Sequence, residues 1–320
     1  MSNDMRTLLA SIEATPEHSD LLSSISLGFR NARNFGADIF EWFVQDFDLS
    51  FEPTPLYLLL RHAIELLDAM AILVERGSID PCWLMARSLF EVSLQVEYLI
   101  AEPNSSYDRS VAYLTCTLLD LKRHNDRLFE GGSLQVAVTN HPRIDGVTVP
   151  KWLVEYSTTT SKHIDMLLNQ EPFCATVRKY KEHKRSPSWY ALDGGPTNLF
   201  ALAQHLQREA EYLTFYPEAS RAAHGNIPLG NPITIPFGYE GIALSSIRNP
   251  LQIVPVVSHG FYYTRSIFEC FLPYLASTRR EEFERWLAAE FSPFLEKLGK
   301  LAEDIAGVGI LVRTIPSTST

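Results

Sequence analysis

Arg87 and Glu91 are the two residues of this sequence that are best placed to do chemistry. They stand four positions apart, a spacing that brings two side chains to the same face of a helix. On a buried helix they could form an ion pair inside a polar site. The same spacing also suits an exposed ion pair, which contributes only about 0.3–0.5 kcal/mol to stability. If the two side chains are buried, the interpretation as a surface ion pair is disfavoured, because buried charges are kept only when they are paired or functional.

The residues around this pair predict that it is buried. Apolar side chains recur at helical spacing on two sides of the segment 80–101, one row being Met85, Leu89, Val92, Val96 and Leu99 and the other Trp83, Phe90 and Leu94. Between the rows runs a polar column formed by Arg87, Glu91, Gln95 and Tyr98. We therefore expect this column to lie in an interior seam between helices.

The pentapeptide RSLFE at 87–91 recurs at 265–269 as RSIFE. An internal duplication would give two helices with matching inward pairs, whereas chance similarity in a helix-rich chain would imply no such relation. The sequence leaves both interpretations open.

A second cluster of charge lies at 178–185, RKYKEHKR, in a chain with only eight lysines. Its cations are Arg178, Lys179, Lys181, Lys184 and Arg185. Such a run forms either a solvated face or a phosphate-binding patch. Arg178 and His183 also match the Arg-x4–6-His signature of the HEPN ribonucleases. In those helical enzymes the arginine stabilises phosphate charge and the histidine transfers the proton of the 2′-hydroxyl.

The sequence contains no metal or nucleotide motif of the common kinds. Glu-x-x-His, HExxH, the Gly-rich phosphate loop and GxSxG do not occur. His62 with Glu65, and Asp120 with His124, come nearest to a metal pair, but a local hydrogen bond or a solvent-facing position explains each more simply. We expect no metal and no cofactor, and any enzymatic activity would be ribonuclease-like and independent of metal.

Helical periodicity dominates the chain and predicts an all-α protein with a single large helical-bundle domain of about nine helices. The domain covers 1–320, with an N-terminal helical extension at 1–50, a core at 51–226 and C-terminal helices that pack on the core at 227–320. One long helix is predicted over 197–223. The segment 131–149 lacks helical periodicity, and a minor β-hairpin is expected there. The segment 225–250 is rich in Gly, Pro and Asn and is expected to be a long loop.

The composition excludes several classes of protein. With 46% hydrophobic and 21% charged residues among 320, the chain is not intrinsically disordered. A net charge of −10 argues against a general attraction to nucleic acid or to anionic membranes, so any phosphate site must be local. Four scattered cysteines, no secretory signal and no spanning segment predict a soluble protein of the reducing cytoplasm.

Three segments together resemble a known pattern. They are RHAIELLDAMAILVERGSIDPCWLMARSLFEVSLQVEYLI at 61–100, SPSWYALDGGPTNLFALAQHL at 186–206 and YPEASRAAHGN at 216–226. Over 55–226 the chain resembles an uncharacterised, mainly prokaryotic all-helical family, known only as a domain of unknown function. That family pairs an RS-L-FE helix with a Trp-containing loop and a Ser-x-x-x-His-Gly end. The matching positions are Arg87, Glu91, Trp189, Tyr216, Ser220, His224 and Gly225.

The family is distantly similar to HEPN domains, many of which act in toxin–antitoxin and phage-defence systems. This resemblance implies a site with two sets of residues. The catalytic residues would be Arg87, Glu91, Ser220 and His224. The ligand-binding residues would be Tyr216, Trp189, Arg178, His183 and Lys179. The chain departs from the HEPN pattern at His224, because the nearest preceding arginine is Arg221, with only two residues between. His224 before Gly225 also suits the C-terminal end of a helix.

Two hypotheses for the function follow. The first is a HEPN-like homo-oligomer that binds or cleaves a phosphate-bearing ligand such as RNA. The second is a non-catalytic interaction or sensor domain in which the same residues form a structural polar network. Convergence of Arg87, Glu91 and His224 in an open cleft would favour the first hypothesis, and closure inside a packed core would favour the second.

Overall fold

The computed structural model of the chain describes residues 16–46, 51–129, 131–141, 148–183, 185–223, 233–234, 243–244 and 253–299. Helices make up most of these residues, which confirms the predicted all-α class. In the described part of the chain, strand structure is confined to β1 (Ile233–Thr234) and β2 (Ala243–Leu244), which pair antiparallel with Ile233 opposite Leu244.

The first six helices are α1 (Pro16–Asp46), α2 (Thr54–Glu75), α3 (Cys82–Ile100), α4 (Ser106–Asp126), α5 (Ser133–Thr139) and α6 (Lys151–Leu168). They are followed by α7 (Phe173–Glu182), α8 (Leu199–His205), α9 (Glu209–Ala223), α10 (Ile253–Phe271) and α11 (Ser277–Trp286). A 3₁₀ segment covers Trp189–Gly194, and a π-helical turn at Leu287–Phe291 leads from α11 into further α-helix over 292–299.

The hairpin predicted near 131–149 is wrong for its first half, which forms α5 instead. The alternation of Leu134, Val136 and Val138 suggested a strand, but the backbone donors here find partners close by in sequence. The amides of Leu134 and Gln135 donate to the Arg127 carbonyl, and that of Val136 donates to the Gly132 carbonyl. A helix satisfies the backbone without a second strand, which explains the difference. Residues 142–147 lie outside the described part.

The single helix predicted over 197–223 is divided in two. Gln207, with φ of 60°, adopts the left-handed conformation between α8 and α9, which a continuous α-helix does not tolerate. The predicted loop at 225–250 contains β1 and β2, and its other residues lie outside the described part.

The chain divides into two compact units. The first comprises the described residues of Met1–Leu49, Leu56–Glu97 and Leu206–Thr320. Its core follows a row on α1 whose members recur every three or four residues and are all buried: Leu22, Ile25, Phe29, Ala32, Phe35, Ile39 and Phe43. Phe29 stacks on Phe261 of α10, with ring centroids 4.3 Å apart, and Phe35 stacks on Trp286 at 4.5 Å. Aromatic pairs thus hold α1 against α10 and α11.

The second unit comprises the described residues of Ser50–Pro55 and Tyr98–His205. Its core joins α4, α6 and α7 through Val111, Ile164, Leu168 and Phe173. The two units alternate along the sequence, and neither coincides with the predicted segments 1–50, 51–226 and 227–320. The organisation as one domain with those boundaries stays a prediction.

Candidate functional site

Arg87 and Glu91 of α3 meet Tyr216 of α9 in the first unit. The Arg87 Nε–H donates to Glu91 Oε1 at 2.9 Å, and Arg87 Nη2 donates to the Tyr216 hydroxyl oxygen at 2.6 Å. The Tyr216 hydroxyl in turn donates to the same Glu91 oxygen at 3.2 Å. Three of the predicted site residues therefore form a closed hydrogen-bonded triangle.

The apolar rows of α3 place this triangle at a half-buried position. Leu89 and Phe90 are fully buried beside the pair, and they leave the side chains of Arg87 and Glu91 with 22% and 33% exposure. On α9, Phe215 and Ala219 are buried, and the ring of Tyr212, one turn before Tyr216, stacks on it at 4.7 Å. The predicted seam exists, but it is partly open to solvent.

The surroundings of the triangle keep both Arg87 and Tyr216 protonated. Burial, reinforced by the charge of Glu91, raises the pKa of Tyr216 to about 12. Burial alone would lower the pKa of Arg87, but the hydrogen bond and charge of Glu91 outweigh that effect and raise it. Arg87 is thus charged and Tyr216 neutral at physiological pH. General acid–base catalysis works best with a group that titrates near that pH, and neither residue does.

A second polar cluster, which the sequence did not predict, surrounds Arg208 immediately before α9. The residue is only 8% exposed. Its guanidinium donates to both carboxylate oxygens of Glu211, with Nη2 2.5 Å from Oε2, and also to Ser93 Oγ at 2.9 Å and Glu97 Oε2 at 3.2 Å. The Tyr262 hydroxyl donates to Glu211 at 3.2 Å. The only sequence signal is the three-residue spacing of Arg208 and Glu211, within the single helix predicted over 197–223.

Burial governs the charges of this Arg208 cluster. It raises the pKa of Glu97 above the usual range, and the nearby Arg208 charge offsets the increase only in part. For Arg208, burial acts to lower the pKa, but hydrogen bonds and charge from Glu211, together with the charge of Glu97, raise it. The cation is therefore permanent and compensated by two carboxylates of the same unit.

Of the two remaining predicted catalytic residues, Ser220 and His224, the structure describes Ser220. Ser220 lies one turn beyond Tyr216 and is half-buried. His224, like Gly225, lies outside the described residues, so the roles of both remain predictions.

Four of the predicted ligand-binding residues belong to the second unit. Trp189 is 8% exposed and packs against Tyr98, Tyr113 and Tyr190, with ring centroids 5.4–5.6 Å apart. It contributes to the packing of this unit, and its predicted role in ligand binding stays a prediction. The others are Arg178, Lys179 and His183, all exposed, with His183 just beyond the end of α7. Lys179 forms an ion pair with Asp193 at 2.5 Å.

A cleft of about 270 Å³ opens beside Trp189 in the second unit. The Arg109 guanidinium lies 4.0 Å from the ring centroid of Tyr98 and pairs with Glu102 at 3.2 Å. The charge of Arg109 lowers the pKa of Glu102. Asp108 and Asp193 line the cleft as well, so it contains more carboxylates than cations. A phosphate-bearing ligand would be repelled from it.

The model of a family of unknown function, DUF5677, matches residues 54–231, which is more than half of the chain. The chain belongs to this family. The match confirms the predicted kind of family and nearly coincides with the expected range of 55–226. The DUF5677 region includes the Arg87–Glu91–Tyr216 triangle, the Arg208 residue and the cleft beside Trp189. No curated protein and no solved structure matches the chain.

The RSIFE segment lies on α10, outside the DUF5677 region. There Arg265 Nε donates to Glu269 Oε1 at 2.7 Å, just as Arg87 donates to Glu91. This second pair is, however, exposed, with side-chain exposures of 49% and 41%. The two pairs share their local geometry, and the first pair is in addition hydrogen-bonded to Tyr216. A duplication remains a hypothesis.

The described residues contain neither a metal-binding cluster nor a helix that could span a membrane. No three His, Cys, Asp or Glu side chains there group so that they could hold a metal ion. His62 lies 3.7 Å from Glu65, and Asp120 pairs with Arg123. None of the described helices combines the length and the apolar character needed to cross a bilayer.

Proposed function

We propose that this member of the DUF5677 family is a non-catalytic helical interaction or sensor protein, in which the triangle and the Arg208 cluster form a structural polar network. One observation carries the proposal. Arg87 and Arg208 are both hydrogen-bonded to carboxylates of their own unit, and these carboxylates compensate their charge.

A catalytic arginine has to present its charge to the substrate. Here an incoming phosphate would have to displace Glu91 from Arg87, and it would meet the negative charge of that carboxylate at close range. Removal of one partner from such a pair leaves the charge of the other uncompensated, so Arg87, Glu91 and Tyr216 stabilise one another. Because these residues belong to α3 and α9, the network is suited to holding the two helices in register.

The test compares stability with activity. Glu91→Gln and Tyr216→Phe are expected to lower the thermal midpoint, while neither wild type nor variants cleave any member of an RNA panel. Glu269→Gln, in the matching exposed pair, is the control and should leave the midpoint unchanged. RNA cleavage by the wild type that Glu91→Gln abolishes at an unchanged midpoint would contradict the proposal.

A second candidate is a HEPN-like protein of the prokaryotic cytoplasm that binds a phosphate-bearing ligand such as RNA, with a role in defence. The observation that favours it is the exposed face of Arg178 and Lys181, three residues apart on α7, with Arg185 just beyond. None of these three forms an ion pair within the described part of the chain. Their positive charge is thus available to a ligand.

This candidate is tested by the salt dependence of RNA binding. Each single-strand phosphate contact contributes about 0.7 to the negative log–log slope. Arg178→Gln and Lys181→Gln should weaken binding and flatten the slope, whereas Lys297→Gln, at an exposed site of the other unit, should change neither. His183→Ala would remove cleavage and spare binding if Arg178 and His183 were catalytic. Absence of RNA affinity at low salt would refute this candidate and leave the first proposal standing.

A further inference from the structure

Helix α6 presents an exposed row of side chains, which we name the α6 face. Its members are Trp152, Glu155, Tyr156, Thr159, Lys162, His163 and Met166. The exposure of Trp152, Tyr156 and Met166 is 67%, 63% and 56%. Steps of three and four residues put all seven on one side of the helix. The opposite side is buried in the core of the second unit through Ser161, Ile164 and Leu168.

The order of residues on the α6 face is self-complementary about Thr159. Trp152 lies seven positions before Thr159 and Met166 seven after it, while Tyr156 and His163 stand three before and four after. An antiparallel copy of the helix, related by a two-fold axis at Thr159, therefore sets each member opposite a complementary one. A two-fold contact of this kind uses the same patch on both copies.

We propose that the α6 face binds a second copy of this chain, with the two α6 helices antiparallel and the two-fold axis at Thr159. Trp152 would then pack against the partner's Met166, a favourable contact between sulfur and an aromatic ring. Tyr156 would pack against the partner's His163 as an aromatic pair. Each contact occurs twice by symmetry.

Charge complementarity favours a second copy over other occupants. Glu155 and Lys162 lie on the same flank of the α6 face. In an antiparallel pair of identical helices, each flank of one helix contacts the same flank of the other. With a rise of about 1.5 Å per residue, Glu155 lies about 6 Å from Thr159 along the axis and Lys162 about 4.5 Å in the other direction. Glu155 is thus nearly level with the partner's Lys162. Among the described residues neither side chain forms an ion pair, so both are available for two bonds across the axis.

The proposal does not depend on the proposed function, and its first test is the mass of the full chain in solution. Sedimentation velocity of the wild type should give twice the 36.2 kDa of one chain. Trp152→Ser should raise the dimer dissociation constant on the order of tenfold to a hundredfold. Ile72→Ser removes a side chain of similar exposure, 54%, from α2 and is the control that should leave it unchanged.

Charge exchange tests the antiparallel geometry. Glu155→Lys alone and Lys162→Glu alone each place like charges across the axis and should weaken the dimer. A mixture of these two variants should form heterodimers, because one copy then carries two cations and the other two carboxylates on the meeting flanks. Circular dichroism checks that every variant is folded. A monomeric wild type, a dimer unaffected by Trp152→Ser, or a mixture that does not restore association would overturn the proposal.

Discussion

Tyr216 accepts a hydrogen bond from Arg87 and donates one to Glu91, although it lies 129 positions from the first and 125 from the second. The hydroxyl can do both only while it keeps its proton. The link between α3 and α9 therefore depends on a neutral phenol held between two charged groups.

Stability at alkaline pH should reveal this dependence. The pKa of Tyr216 rises from 10.0 to about 12 on folding, so the folded state holds the proton more tightly than the unfolded state. The resulting stabilisation is complete below pH 10 and is lost as the pH rises towards and through about 12. Urea unfolding of wild type and Tyr216→Phe across this range should show the difference in free energy of unfolding between them shrinking. Parallel curves would show that this phenol does not contribute.

The two RS-x-FE pairs should differ in their contribution to stability. Glu91→Ala leaves Arg87 half-buried and without its carboxylate, and we expect a loss of about 1–3 kcal/mol. Glu269→Ala breaks an exposed pair and should change the free energy of unfolding by less than about 0.5 kcal/mol. Chemical denaturation of both variants measures the two values. Equal losses would show that Tyr216 adds nothing to the first pair.

Arg208 should be the most sensitive charged residue of the first unit. Arg208→Ala leaves Glu97 and Glu211 facing each other without a cation, and the expected loss is about 3–5 kcal/mol. Arg208→Lys keeps the charge but cannot bind Glu211 through two nitrogens, so its loss should be intermediate. If the alanine variant does not fold, the lysine variant still gives a measurable denaturation midpoint. A neutral effect of both substitutions would contradict the role assigned to the cluster.

Two neighbouring glycines, in the turn beside the cleft of the second unit, should differ in how much stability is lost when each is replaced by alanine. Gly194 has φ of 77° with open space around it, so Gly194→Ala should cost about 1–2 kcal/mol from backbone strain alone. A Cβ at Gly195 would lie 2.1 Å from the Tyr190 carbonyl oxygen and 2.7 Å from the Tyr98 hydroxyl. Gly195→Ala therefore requires the backbone to move and should lower the midpoint more than Gly194→Ala. The reverse order would contradict this packing.

The helices that could be predicted from the sequence are those whose burial repeats regularly. The apolar spacing of the sequence predicts a helix over 17–46, which agrees with α1, because Leu22, Ile25 and Phe29 continue a row that no local signal interrupts. The break at Gln207 could not be predicted in this way. It comes beside Arg208, whose partners Glu97 and Ser93 lie 111 and 115 positions away. Contacts over such distances leave no periodic trace in the sequence.

The candidate site was predictable to a similar degree. Helical spacing alone joined Arg87 to Glu91, since both lie on one helix. Tyr216 could be predicted only from the resemblance to a family, because its contact with Arg87 and Glu91 depends on how α9 packs against α3. The α5 segment shows the opposite error. The alternation of Val136 and Val138 suggested a strand, although the turn at Gly131 and Gly132 precedes a helix.

The exposure of Trp152 has an optical consequence. All five tryptophans lie in the described residues, and Trp152 is the one of them that is exposed, whereas Trp189 is buried and Trp286 is stacked on Phe35. In the monomer, a water-soluble quencher should therefore reach the indole of Trp152 first and remove the long-wavelength part of the emission. Contact between two α6 faces would shield that indole and shift its emission to shorter wavelength. The intrinsic fluorescence of the chain thus reports on this surface without any added label.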